Sequence, residues 1–155
     1  MHYHGYNTGK INLTEGAWFP FRIHKLVQLQ DEEWYYILED MNGLRHFIYA
    51  ENYKYYGFKP GDEISCKIDK INCTGRLFLE PRHPHYNAGE IYSFDLVKCS
   101  GEDTEKTLTV REISGKEIEV LLFGNRNIDI CGVKKVRCIV KSIKKGILFL
   151  EISSD

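Results

Sequence analysis

The stretch from Gly61 to Glu80 comes back near the C-terminus, and that recurrence limits the chain more than any other feature. Cys66, Ile71 and Gly75 find counterparts in Cys138, Ile143 and Gly146, and Leu77-Phe-Leu-Glu80 returns as Leu148-Phe-Leu-Glu151. One turn residue is missing from the second copy. The match continues upstream, where Gly16, Phe21 and Gly43 recur as Gly89, Phe94 and Gly115. A unit that repeats after roughly 72 residues must fold into the same supersecondary structure twice.

The pattern inside the unit is that of strands. Ile64, Cys66 and Ile68 alternate with Ser65, Lys67 and Asp69, the two-residue period of a half-buried strand. Asn72 to Gly75 supplies a turn, and Leu77 and Leu79 resume the alternation. Upstream, Ala17–Val27, Trp34–Asp40 and Leu44–Ala50 read as three further strands, with Asn42-Gly43 as a hairpin signal. Glu51 to Tyr56 suits one or two helical turns closed by Gly57. In the second copy, Gly124 to Ile130 fills that slot as a loop. Three strands, a short element and two more strands form the plan of an OB-fold barrel, and closure removes exposed sheet edges. The expected fold is all-β: two tandem five-stranded OB-fold barrels with a short helix in the first. The expected boundaries are an N-terminal arm at 1–14, repeat 1 at 15–80, a stiff connector at 81–88 containing Pro81 and Pro84, and repeat 2 at 89–155.

Charge and composition narrow the function. Lys and Arg number 21 against 22 Asp and Glu, a formal charge of −1, so there is no global basic footprint. No apolar run approaches the roughly 18 residues that span a membrane, and the expectation is a cytoplasmic chain with no membrane partner. The 5 cysteines include no Cys-x-x-Cys pair and read as free thiols, with Cys66 and Cys138 as small core residues. His83-Pro-His85 lacks a third ligand at metal spacing, so neither a metal nor a cofactor is expected. No nucleophile–base spacing, phosphate-cradling glycine loop or paired-carboxylate motif occurs, and no enzymatic activity is expected.

The aromatic residues are unevenly shared. Of 20 Phe, Trp and Tyr, only Tyr92, Phe94, Phe123 and Phe149 follow residue 88. Two cores of similar size need similar filling, so part of the excess belongs on the surface of the first barrel. Rings that stack on bases, beside cations that follow phosphates, are the means of holding single strands. The candidates are Trp18, Phe19, Trp34, Tyr36, Arg45, His46, Lys67 and Arg76. Phe21 and Phe47 are assigned to the core. Tyr53, Tyr55, Tyr56 and Phe58 are assigned to the barrel end. Phe78 and Phe149, each flanked by leucines, are expected to face outward. In the second repeat, Lys135, Arg137 and Lys141 belong to a run of cations without an acid and could extend the path. The plainer alternatives are that half the rings are core and that the cations are a solvated face.

Repeat 1 resembles the RNA-binding OB domain of ribosomal protein S-one, which also occurs in polynucleotide phosphorylase. Gly61 to Glu80 fits that family's closing frame without a gap, including Gly75-Arg76, with Asn72 where the family often has Asp and Glu80 where it usually has Ser. Gly43-Leu-Arg-His46-Phe-Ile48 is similar to the family's Gly-Leu-apolar-His segment. The resemblance implies non-catalytic binding of single-stranded RNA or DNA, with RNA favoured, and a role for His46, Arg76 and Trp34. The second repeat departs from it: Ile118, Ile147 and Lys106 stand at those positions. The competing expectation is an adaptor that uses the OB frame to bind a protein partner.

Overall fold

The computed structural model describes residues 11–102, 104–123 and 130–153. Contacts divide the chain between Arg82 and His83 into two units. The first unit holds strands β1 (Trp18–Gln28), β2 (Trp34–Glu39), β3 (Arg45–Tyr49), β4 (Glu63–Ile71) and β5 (Leu77–Pro81). The second holds β6 (Ile91–Glu102), β7 (Glu105–Arg111), β8 (Glu117–Phe123), β9 (Lys135–Lys144) and β10 (Ile147–Ile152). Both are five-stranded antiparallel sheets in the same order, β3-β2-β1-β4-β5 and β8-β7-β6-β9-β10. This is the OB-fold arrangement.

A small barrel requires its first strand to serve two partners. β1 pairs β4 through Trp18–Arg22 and β2 through Arg22–Gln28. Its register shifts between Ile23 and Lys25, and β6 shifts likewise between Leu96 and Lys98. One extra residue at that point bends and twists the strand, which is how a flat ribbon turns the corner of a barrel. The inward residues make each core. Phe21, Ile23, Leu38, Cys66 and Ile68 are buried in the first unit, and Phe94, Leu108, Val110, Cys138 and Val140 in the second.

Three of the hairpins share one device. The Asp40 carboxylate accepts the Asn42 and Leu44 N–H groups at 2.8 and 2.9 Å. The Asn72 side-chain oxygen accepts the Thr74 and Arg76 N–H groups at 3.1 and 2.8 Å. Glu112 accepts the Ser114 N–H at 2.7 Å. A short side chain that satisfies the backbone of its own turn competes well against any other loop conformation. The turns close on Gly43 and Gly75, whose φ values of +84° and +85° lie in the left-handed region that a side chain disfavours.

Several expectations change. The short helix is a single 3-10 turn, Ala50–Tyr53. Tyr53, Tyr56 and Phe58 pack at the barrel end, but Tyr55 is exposed. Pro81 ends β5, Arg82 donates its N–H to the Ser65 carbonyl at 2.8 Å, and Tyr86 stacks on Phe94 at 5.4 Å in the second core. Cys99 and Cys131 form a disulfide, so only Cys66, Cys73 and Cys138 are free thiols. Their partnership links residues 32 positions apart, a distance over which local spacing carries no signal. Arm residues up to 10 and the loop 124–129 lie outside the described residues, whereas Ile11 exchanges two hydrogen bonds with Asn42 at 2.8 Å each.

His83 sits buried in the second unit. Its Nδ1 accepts the His85 N–H at 3.1 Å, and its Nε2 lies 3.7 Å from Glu112 Oε2. Burial pushes the imidazole down from 6.5 to about 4, against the pull of Glu112. A second proton would also go onto the nitrogen that accepts from His85. The unfolded chain takes up this proton below pH 6.5 and the folded chain only near pH 4, so the stability is present above 6.5 and lost as pH falls. Unfolding free energy is expected to drop by roughly 2–3 kcal/mol between pH 7 and 4.5 from this group. Urea denaturation of His83→Gln at both pH values should show a correspondingly flatter profile, and an unchanged slope would refute the assignment.

Candidate nucleic-acid interface

β3 and β5 end the sheet of the first unit, and no backbone hydrogen bond joins them among the described residues. Between them lies a cleft of about 590 Å³. Its walls are the β1–β2 loop at Leu29, Tyr35 on β2, Leu44 to Phe47 leading into β3, and the β4–β5 turn from Thr74 to Leu77. This is the face, between the first and last hairpin loops, where OB barrels take oligonucleotides and oligosaccharides.

Strand parity decides what points into it. His46 and Ile48 face the core, so Arg45, Phe47 and Tyr49 face outward. Phe47 is 44% exposed. Its assignment to the core is therefore corrected: Ile48 takes the inward place. The Tyr35 ring meets Phe47 edge-on at 6.3 Å and Tyr49 at 5.7 Å, forming an aromatic row across β2 and β3. Both hydroxyls are held. Tyr35 donates to Asp31 at 2.6 Å and Tyr49 to Glu33 at 2.7 Å. Those bonds hold each phenol in its protonated form, with Tyr49 pushed up to about 12, first by its bond to Glu33.

Two cations line the same cleft. Arg45 is exposed and lies 3.7 Å from Glu39. Arg76 is carried by the Asn72-capped turn, and its guanidinium lies over the Phe78 ring at 4.9 Å. Planar stacking orients an arginine while leaving its donors available. Among the described residues, no acid lines this cleft. Acids shown beside it by contact include Asp31 and Glu33, which hold the Tyr35 and Tyr49 hydroxyls.

The other sequence candidates fall in several places. His46 lines the cleft, but its Nε2 is bonded to buried Asp40 at 2.8 Å and its side chain is only 13% exposed. It fixes β3 against the hairpin rather than presenting a free imidazole. Tyr36 is corrected to core, at 9% exposure with its ring edge on Phe58. Phe19 also turns inward and packs against the core. Trp34 is exposed at the start of β2 and does not line the cleft. Trp18 is exposed on another face, beneath the Arg82 guanidinium at 4.6 Å and paired across strands with half-buried Lys67. Phe78 and Phe149 face outward as expected. In the second unit Lys135, Arg137 and Lys141 share the outer face of β9. Lys135 is paired with Asp95 at 3.1 Å and Lys141 with Glu151 at 3.4 Å. Sequence reasoning passed over Phe47, Tyr35 and Tyr49. Adjacent apolar residues on β2 and β3 leave the outward face of these strands unmarked in the sequence.

The strand order defines an OB-type fold with an open cleft on one face. No protein-family model matches the chain, and no curated protein matches it. Solved structures similar to it include tetrameric p202 HIN2, at 14% identity over 90% of this chain and 89% of that one, with a TM-score of 0.32. Another is a murine DNA binding protein bound with ds DNA, at 14% identity over 87% and 93% and a TM-score of 0.29. The assignment of the fold here stands on strand order.

Proposed function

We propose that the first unit binds single-stranded nucleic acid, RNA in preference, without catalysing a reaction on it. The observation that carries this is one open cleft lined by exposed Phe47, half-buried Tyr35, Arg45 and Arg76. Bases stack on the rings, and phosphates follow the two arginines, away from Asp31 and Glu33. The resemblance of Gly61–Glu80 to the S-one domain supports the same reading, because Asn72 and Gly75 form the turn that presents Arg76. His46 contributes by holding β3, through Asp40, in the position that turns Phe47 outward.

Fluorescence anisotropy with a short labelled oligoribonucleotide tests it, with single-stranded and double-stranded DNA as comparison arms. Two phosphate contacts imply that affinity falls about sevenfold between 50 and 200 mM salt. Phe47→Ala is expected to cost about 1–3 kcal/mol, the contribution of one stacked base. Arg76→Ala is expected to make the salt dependence shallower. No binding at low salt, or binding indifferent to Phe47→Ala combined with Arg76→Ala, removes the proposal. A protein-binding adaptor is the second reading, favoured by Leu29 and Leu44, which stand exposed at the cleft mouth. A stoichiometric protein companion on purification, without nucleic-acid absorbance, would support that reading instead.

A further inference from the structure

The second unit has a cleft in the corresponding place with the opposite charge. It lies between β8 and β10, has a volume of about 750 Å³, and is lined by Glu117, Glu119, Leu121, Lys141, Phe149 and Glu151 among others. By the sequence repeat, Glu117 and Glu119 stand where Arg45 and Phe47 stand in the first unit, and Ile147 stands where Arg76 does. Both cations of the first cleft are therefore gone, and two carboxylates occupy the third strand of the unit. Three acids and one lysine line this cleft, whereas the other is lined by two arginines, His46 and no acid.

A phosphate backbone does not fit such a place. An extended cationic chain does, on three counts. First, Glu117, Glu119 and Leu121 alternate with buried Ile118, Val120 and Leu122, so all three face outward at the strand repeat of about 6.8 Å per two residues. Alternate side chains of an extended peptide have the same repeat. Second, the apolar part is exposed: Leu121 is 51%, Ile147 44% and Phe149 50% exposed. Third, β8 and β10 end the sheet, and among the described residues no backbone hydrogen bond joins them. Their outer backbone edges can pair with an added chain. Glu117 is bridged to Arg111 at 3.0 Å and Glu151 to Lys141 at 3.4 Å, both on the exposed surface. Exposed ion pairs are weak and exchange readily for a better-placed cation. Glu119 has no ion pair among the described residues.

We propose that the β8–β10 cleft of the second unit binds an extended peptide with basic residues at alternate positions followed by an aliphatic or aromatic one. The cations meet Glu117 and Glu119, and the apolar residue covers Leu121 and Phe149. This inference is independent of nucleic-acid binding by the first unit.

The probe is a short fluorescent synthetic peptide, Lys-Thr-Lys-Thr-Leu-Thr-Leu, compared with the same peptide carrying Glu in place of Lys. With the full chain, the lysine peptide should bind at least tenfold more tightly, and amide exchange in β8 should slow. Glu117→Lys with Glu119→Lys should reverse the preference. Should that variant fail to fold, Phe149→Ala, which trims an exposed ring, should weaken the lysine peptide at least threefold without altering the preference. Equal affinity for the two peptides overturns the proposal. So does a preference that survives charge reversal, an affinity indifferent to Phe149→Ala, or displacement of the lysine peptide from the cleft by oligoribonucleotide. Failure of RNA binding alone would leave the peptide result standing, so the two readings are separable.

Discussion

Phe21→Ala is expected to lower the stability of the first unit by about 3–5 kcal/mol, the usual cost of deleting a buried phenyl ring. Phe21 is 1% exposed, sits on the stretch of β1 that pairs β4, and meets the His46 ring edge-on at 6.0 Å. The surrounding strands are hydrogen-bonded neighbours in one sheet and cannot collapse into the space, which places the cost in that range. A domain whose whole stability is about 5–15 kcal/mol would lose a large part of it. Chemical denaturation measures the change, and a loss below about 1 kcal/mol would show that the ring is not close-packed. Because His46 leans on Phe21, the same variant is expected to weaken ligand binding in the cleft.

The second large effect is at Asp40. Its carboxylate is 6% exposed as a residue and accepts from the Asn42 N–H, the Leu44 N–H and His46 Nε2. Asp40→Ala leaves two backbone donors and one imidazole without their acceptor. At about 1–3 kcal/mol for each buried group left unsatisfied, partly relieved by water at the hairpin, a loss of about 3–4 kcal/mol is expected. Asp40→Asn separates the causes. The amide oxygen can still accept both N–H groups, and the amide NH2 can donate to the other tautomer of His46. The Asn variant should therefore retain most of the stability in a denaturation series. If Asn and Ala cost the same, charge rather than hydrogen bonding holds the turn.

How far the sequence spoke depended on how cleanly polar and apolar residues alternate. β4 reads Ile64, Cys66, Ile68 against Ser65, Lys67, Asp69, and its inward face was legible at once. β2 begins Trp34-Tyr-Tyr-Ile-Leu38, apolar or aromatic throughout, so its period is invisible. There Tyr36 reads as a surface ring although it is core. Phe47 beside Ile48 carries the same ambiguity. A shift of one residue exchanges the faces, and two apolar neighbours do not say which is inside. The cleft itself was only half legible. Gly75-Arg76 and His46 were found by motif, but the meeting of the β1–β2 and β4–β5 loops over β3 is a product of barrel closure. The Cys99–Cys131 bond and the packing of Tyr86 on Phe94 are likewise contacts across topology. Phe21 and Phe94, which align in the sequence, are both 1% exposed.

Asp40 and Asn72 each lock the turn in which they sit, and those turns flank the mouth of the first cleft on two sides. A rim stapled from within is already shaped before any guest arrives. Little chain entropy is then left for the host to surrender on association, and most of the ordering cost falls on the guest. Affinity should accordingly respond more to stiffening the ligand, as in a constrained or locked oligonucleotide, than to stiffening the protein.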